Sequence, residues 1–351
     1  MFLTILIFVA ILVVLILIHE FGHFIVAKLT GVKVEEFAFG FPPRLFSKKY
    51  HGTRYTINLI PLGGYVNLLG ENEAVKSSGS YYSKSILQKI AIIVTGVLMN
   101  FILAIVVLTI GFTVGMTPLV SDPAALSGQK NSEVMVAEVM ADSPAAGIGL
   151  QAGNILEGFS TPADLQNFTK QNKGQTVNLK VKKDGQTENI PVKLSDKEAS
   201  LGVGVVTVTK VKQPFYKALV TATVEVGKSI GAVFEALWLI LKSVFTTGTA
   251  REAGGGVVGP VGIFNFTATA LKIGWIYILQ LLAILSINLG IINILPFPAL
   301  DGGKILFLAL EGIFRKKVVR QEVENLIHTI GFIILIILVL AITFRDIWRF
   351  R

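Results

Sequence analysis

Cysteine is absent from this chain. That excludes disulfides, thiolate metal ligands and a cysteine nucleophile, and leaves the redox compartment open. Charge is scarce: 16% of residues are charged, against 52% hydrophobic. An ordinary soluble protein carries more charge than this. Histidine is scarcer still, with four in 351 residues. No Lys or Arg precedes the first apolar run, and no small-residue cleavage site follows it. Both absences argue against a cleaved signal peptide. The lysines are scattered and no nucleic-acid-binding signature appears, so nucleic acid is not an expected partner. The net charge of +9 suits a lipid bilayer with anionic headgroups.

Long apolar runs are what the chain has instead. Residues 2 to 29 form the first, and a hydrocarbon core needs about 20 residues of helix. Residues 87–116, 275–295 and 326–344 supply three more, so four transmembrane helices are expected, with both termini on one side. Loop 31–86 carries Lys33, Arg44, Lys48, Lys49, Arg54, Lys76 and Lys84. The stretch between the last two spans carries Lys304, Arg315, Lys316, Lys317 and Arg320. The positive-inside rule places both in the cytoplasm and residues 118–210 outside. The basic tail "RDIWRFR" falls outside by this count, against the rule.

Between the spans the pattern changes. "KVEEFAFGF" and "RYTINLI" alternate apolar with polar, and "PLGGYVNLLG" adds a turn and a short strand. A small antiparallel sheet beside the membrane is expected there. Residues 118–210 read as one compact domain, with a short helix from Pro162 to Gln171 and a hairpin around Asp184-Gly185. Residues 214–247 predict an amphipathic helix on the membrane surface, interrupted by Glu225, Lys228, Glu235 and Lys242, with a fifth span as the alternative. "REAGGGVVGPVG", 251–262, predicts a loop. The divisions are therefore 1–117, 118–210, 211–262 and 263–351.

The first run holds "HEFGH", residues 19–23. His19 and His23 are four apart, so they share a helix face and can both reach one Zn2+. Glu20 stands beside them, placed to take a proton from a water that the metal activates. An ionisable residue within a span costs roughly 2.5–3.5 kcal/mol on insertion scales, so it usually marks function. A polar cluster that only joins helices does not require this spacing. A third ligand is still needed. His51 and His328 read as solvated or interfacial imidazoles. Asp301 in "PFPALDGG" ends the third span beside two glycines; from spacing alone it is equally a helix N-cap.

"HEFGH" followed far downstream by "NILPFPALDGG" resembles the site-2 proteases, the zinc intramembrane metalloproteases, and most closely their bacterial RseP-type branch. "PLGGYV", "GVLMNF" and "GPVGI" stand in the family's order, and the resemblance covers essentially the whole chain. It implies that His19, His23 and Asp301 are the zinc ligands and Glu20 the general base. It implies that Asn288 and Asn293, with Gly63, Gly64 and Tyr65 in the β-element, hold substrate. Gly96 and Asn100 are expected to pack helices. "SPAAGIGLQAGNIL" is similar to a bacterial PDZ domain, with Asn154 where Asp is common; only one such domain fits, where better-known members carry two. The fold expected is a polytopic α-helical membrane protein with four spans, a small β-sheet and an inserted α+β PDZ domain. The function implied is cleavage, in the bacterial cytoplasmic membrane, of single-span proteins already trimmed by a site-1 protease. Anti-sigma factors and remnant signal peptides are the substrate classes implied. The alternative is a non-catalytic scaffold recruiting chain ends through its PDZ domain.

Overall fold

The computed structural model describes residues 1–71, 73, 75–183, 186–196, 200–247 and 258–349. In chain order these form α1 (Phe2–Leu29), β1 (Val34–Tyr50), β2 (Thr53–Leu68), α2 (Ile86–Val114), β3 (Gln129–Val139), α3 (Pro144–Gly147), β4 (Ile155–Glu157) and α4 (Pro162–Gln171). They continue with β5 (Thr176–Lys183), β6 (Gln186–Lys193), β7 (Val203–Lys212), α5 (Phe215–Thr247), α6 (Pro260–Ile273), α7 (Trp275–Ile294), α8 (Asp301–Phe314) and α9 (Gln321–Arg349). Four helices are long and apolar enough to cross a membrane: α1, α2, α7 and Gln321–Trp348 of α9. They are the four expected from the apolar runs. Among the described residues α5 is not one of them.

Two compact units emerge, the first comprising Met1–Ile105, Ser229–Asn265 and Leu282–Arg351. Its α1 contains no proline, so nothing removes a helix hydrogen bond before Leu29. The helix stops where the Thr30 hydroxyl donates to the Val26 carbonyl at 2.8 Å and Gly31 takes φ +70, a conformation glycine adopts at little cost. The chain then enters β1. Phe37 faces Val66 on one side and Tyr55 on the other, while residues 44–50 pair with 53–58. Two long strands thus fold into a four-ribbon element. Among the described residues nothing pairs with the outer side of 64–68. Phe24 anchors this element to α1, with ring centroids 5.4 Å from Phe37 and 6.1 Å from Tyr55.

Small residues set the helix contacts of this unit. A Cβ on Gly22 would collide with the backbone of Thr95 and Gly96 on α2, and one on Gly290 with the ring of Phe101. The Ser286 hydroxyl of α7 donates to the Asn100 carbonyl at 2.7 Å. At Pro260–Gly262, where a loop is predicted, the structure instead starts α6. Pro260 suits a first helical position, and the buried Asp346 carboxylate accepts from the amides of Gly259 and Gly262 at 2.8 and 3.1 Å. Residues 251–257 of that predicted loop lie outside the described residues.

The second unit comprises Val106–Lys228 and Phe266–Leu281, reaching beyond the 118–210 expected of a domain. It holds an antiparallel sheet in the order β6-β5-β4-β3-β7. Val134, Val136, Leu156, Leu165, Leu179 and Val181 form its core. The expected turn at Asp184-Gly185 lies outside the described residues, but Lys183 pairs with Gln186 on either side of it. α4 occupies the predicted Pro162–Gln171. It starts at a capping box in which the Thr161 side chain accepts from Asp164 N–H and Asp164 accepts in return. These bonds from Thr161 hold the Asp164 carboxyl below the ordinary aspartate range. Asn154, in the position where Asp is common, accepts from Gln151 N–H at 2.9 Å. One element departs from expectation. Glu225 does not lie on a wet face of α5; it is fully buried and accepts from the amides of Leu119, Val120 and Ser121 at 2.7, 3.0 and 3.1 Å. Three charge-assisted bonds are what make a buried carboxylate tolerable.

Candidate active site

The first unit brings His19 and His23 on α1 together with Asp301 at the start of α8. One ligand atom from each lies within 4.8 Å of the others. His19 Nε2 and His23 Nε2 are 3.2 Å apart, and Asp301 Oδ2 lies 3.1 and 3.3 Å from them. Ligands at Zn–N distances of about 2.0–2.1 Å in a tetrahedron stand roughly 3.3 Å apart. The triangle has the size that Zn2+ requires.

The tautomers fit as well. His23 Nδ1 lies 2.9 Å from the Ile92 carbonyl, which only accepts, so Nδ1 carries the hydrogen and Nε2 keeps its lone pair. His19 Nδ1 lies 3.1 Å from the Asn100 side-chain amide, whose Oδ1 is buried without a partner. Turning that amide over lets Oδ1 accept from Nδ1–H, which gives the oxygen its bond and again frees Nε2. Asp301 Oδ2 is itself buried with no hydrogen-bond partner among the described residues. Two lone pairs and an orphaned carboxylate oxygen converging on one point are the donor set of a cation, and the residues fit zinc.

Asp301 is not the N-cap of α8. Leu300 occupies that position, and no side chain caps the helix. The space for the two imidazoles comes from α2: a Cβ on Gly96 would collide with the His23 ring and press on that of His19. Gly96 therefore does more than bring helices together, and Asn100 reaches a ring of the site.

Glu20 lines two cavities of this unit. One, of about 240 Å³, also holds His19, His23, Asp301, Gly64, Tyr65 and Lys304. The other, of about 230 Å³, is lined by Glu20, Gly63, Gly64, Asn293, Ala299 and Asp301 among others. Gly64 is the close point between strand and helix: a Cβ there would press on Ile16, the Ala38 carbonyl and Glu20 Cγ. The Asn293 amide lies 3.3 Å from His19 Nε2. Asn288 lines neither cavity. His51 lies in the turn between β1 and β2, its ring centroid 4.2 Å from that of Tyr50. Nothing in the sequence pattern pointed to Glu71, although Lys304, a charge one turn after Asp301 in an apolar helix, was a visible signal. The two form an ion pair at 2.6 Å, and the Glu71 carboxylate holds the Lys304 ammonium above the ordinary lysine range.

With this geometry in place, residues 7–338 match peptidase family M50. The chain belongs to peptidase family M50. It is a metalloendopeptidase whose metal is zinc, and a bacterial membrane protein. A predicted zinc metalloprotease of Clostridium acetobutylicum is 33% identical over 341 residues, covering 95% of this chain and 94% of its own. The zinc metalloprotease RasP of Oceanobacillus iheyensis is 28% identical over 435 positions, covering 99% of each chain. The regulator of sigma-W protease RasP of Bacillus subtilis is 28% identical over 434 positions, covering 99% of this chain and 98% of its own.

Proposed function

We propose that this M50 peptidase cleaves transmembrane segments of single-span proteins inside the bacterial cytoplasmic membrane. The observation that carries the reading is the triangle of His19 Nε2, His23 Nε2 and Asp301 Oδ2, formed by a helix long enough to span the bilayer and the helix that follows another. These three residues would hold the zinc, which when bound supplies an activated water and a Lewis acid for the scissile carbonyl.

The chain's own residues do the rest. Glu20 takes the proton from the attacking water and passes it to the leaving amine. Asn293, beside His19, donates its amide to the carbonyl oxygen as charge develops there. A transmembrane substrate arrives as a helix with its amides satisfied, so the enzyme must replace the bonds that unwinding breaks. The unpaired side of residues 64–68 supports this role: an extended segment adds there as a further strand, with Gly63, Gly64 and Tyr65 at its contact. Asn288 would act further along the substrate.

The second unit supports the reading of a single PDZ domain. Its sheet has β7 at one edge beside α4, an arrangement that suits capture or exclusion of an outer chain end. The RasP alignments span 435 and 434 positions against the 351 residues of this chain, so those relatives are longer than this chain. By the positive-inside rule this domain lies outside the cytoplasm, and it would admit substrates only after a first protease has trimmed them. The regulation of sigma-W named for the Bacillus subtilis relative favours anti-sigma factors as one substrate class; remnant signal peptides are the other. M50 membership disfavours a non-catalytic scaffold.

Co-expression with single-span proteins, intact and with the outer domain removed, tests this. Wild-type protein should cut the trimmed form within its span, and Glu20→Gln should leave it whole. Equal cleavage by both would overturn the reading.

A further inference from the structure

We propose that His328, on the last apolar helix, is a positioning residue for the loop that carries Asp301. The inference rests on the reading of Asp301 as a zinc ligand. Ala299, two residues before Asp301, has φ +77, a left-handed conformation that a non-glycine residue keeps only when its surroundings hold it. Its N–H donates to His328 Nδ1 at 2.9 Å. Because an amide only donates, this bond fixes the imidazole with its lone pair on Nδ1. The Phe307 ring of α8 packs edge-on against the same imidazole, centroids 5.7 Å apart.

A second contact comes from the same helix face. Gly331 is one turn after His328, and a Cβ there would collide with Pro298, the residue before Ala299. On the other side Gly302 and Gly303 press so closely on the carbonyls of Ile294, Leu295 and Phe297 that neither tolerates a side chain. The loop is thus held between its own chain and α9. α9 supplies no metal ligand, yet it determines where Asp301 stands. Ala299 also lines both cavities that contain Glu20 and Asp301, so a relaxed φ would move the wall of the site as well as the ligand.

The acceptor, rather than the bulk of the ring, carries this role. Asparagine places its amide oxygen near the position of Nδ1 and keeps the acceptor; leucine fills the space without one. The test uses full-length purified His328→Leu, His328→Asn and Gly331→Ala. It measures zinc retention against a competing chelator, kcat and KM on a trimmed single-span substrate, and thermal unfolding. His328→Leu should lose zinc about tenfold more readily, with the loss of activity in kcat rather than KM. His328→Asn should recover most of both. Gly331→Ala, with His328 intact, should weaken zinc retention in the same sense. Wild-type zinc retention and kcat in His328→Leu would overturn the proposal, as would a His328→Asn protein as impaired as His328→Leu. If His328→Leu does not fold, the proposal stands or falls on Gly331→Ala: unchanged zinc retention there overturns it. Wild-type protein that binds no zinc would instead refute the metal reading itself.

Discussion

A Cβ on Gly96 of α2 would run into the His23 imidazole and press on His19 as well. Gly96→Ala should therefore expel or rotate a ligand without touching the ligand set. The expected result is at least a tenfold loss of zinc affinity and cleavage below detection, read by metal analysis and a gel assay. Full zinc content in this variant would mean that the helices part easily here.

Asn100 orients His19 through Nδ1. Asn100→Ala should lower zinc affinity by about 10- to 100-fold, while Asn100→Asp, which keeps an acceptor, should retain more. Chelator competition compares the two. Equal losses would show that the amide serves helix packing alone.

The Lys304–Glu71 pair has a pH signature. A lysine held above its ordinary range by a carboxylate contributes stability that is fully present below the unfolded lysine pKa. That contribution is lost only as pH rises through the higher folded value. The difference in unfolding midpoint between wild type and Lys304→Met should stay constant from about pH 6 to 9 and shrink only in stronger alkali. A difference that collapses near neutrality would contradict the pairing.

In the second unit, Leu179 is almost completely buried in the sheet core. Leu179→Ala should cost about 2–5 kcal/mol of stability, lowering the first unfolding transition seen by calorimetry. An unchanged transition would remove Leu179 from the core.

Much of this was legible beforehand because the signals were local. The four apolar runs reappear as helices, Pro162–Gln171 forms α4, and the spacing of His19 and His23 puts both rings on one face. What was not legible depends on how helices turn toward one another. Asn100 sits in a helix that is apolar all round, so no periodicity shows that it faces His19. His328 looks interfacial until the strained Ala299 amide is seen to need an acceptor. Glu225 reads as a wet residue because its three partners are backbone amides more than a hundred residues away, and backbone amides leave no mark in a sequence. α6 was hidden because its N-terminus is completed by Asp346 from another helix.

The central claim is that His19, His23 and Asp301 hold zinc while Glu20 moves the proton. The most direct measurement determines metal content and cleavage together on purified wild type, Glu20→Gln and Asp301→Ala. The account predicts about one zinc per chain and activity for wild type, the same zinc without cleavage for Glu20→Gln, and little zinc for Asp301→Ala. Cleavage by Glu20→Gln, or full zinc in Asp301→Ala, would contradict it.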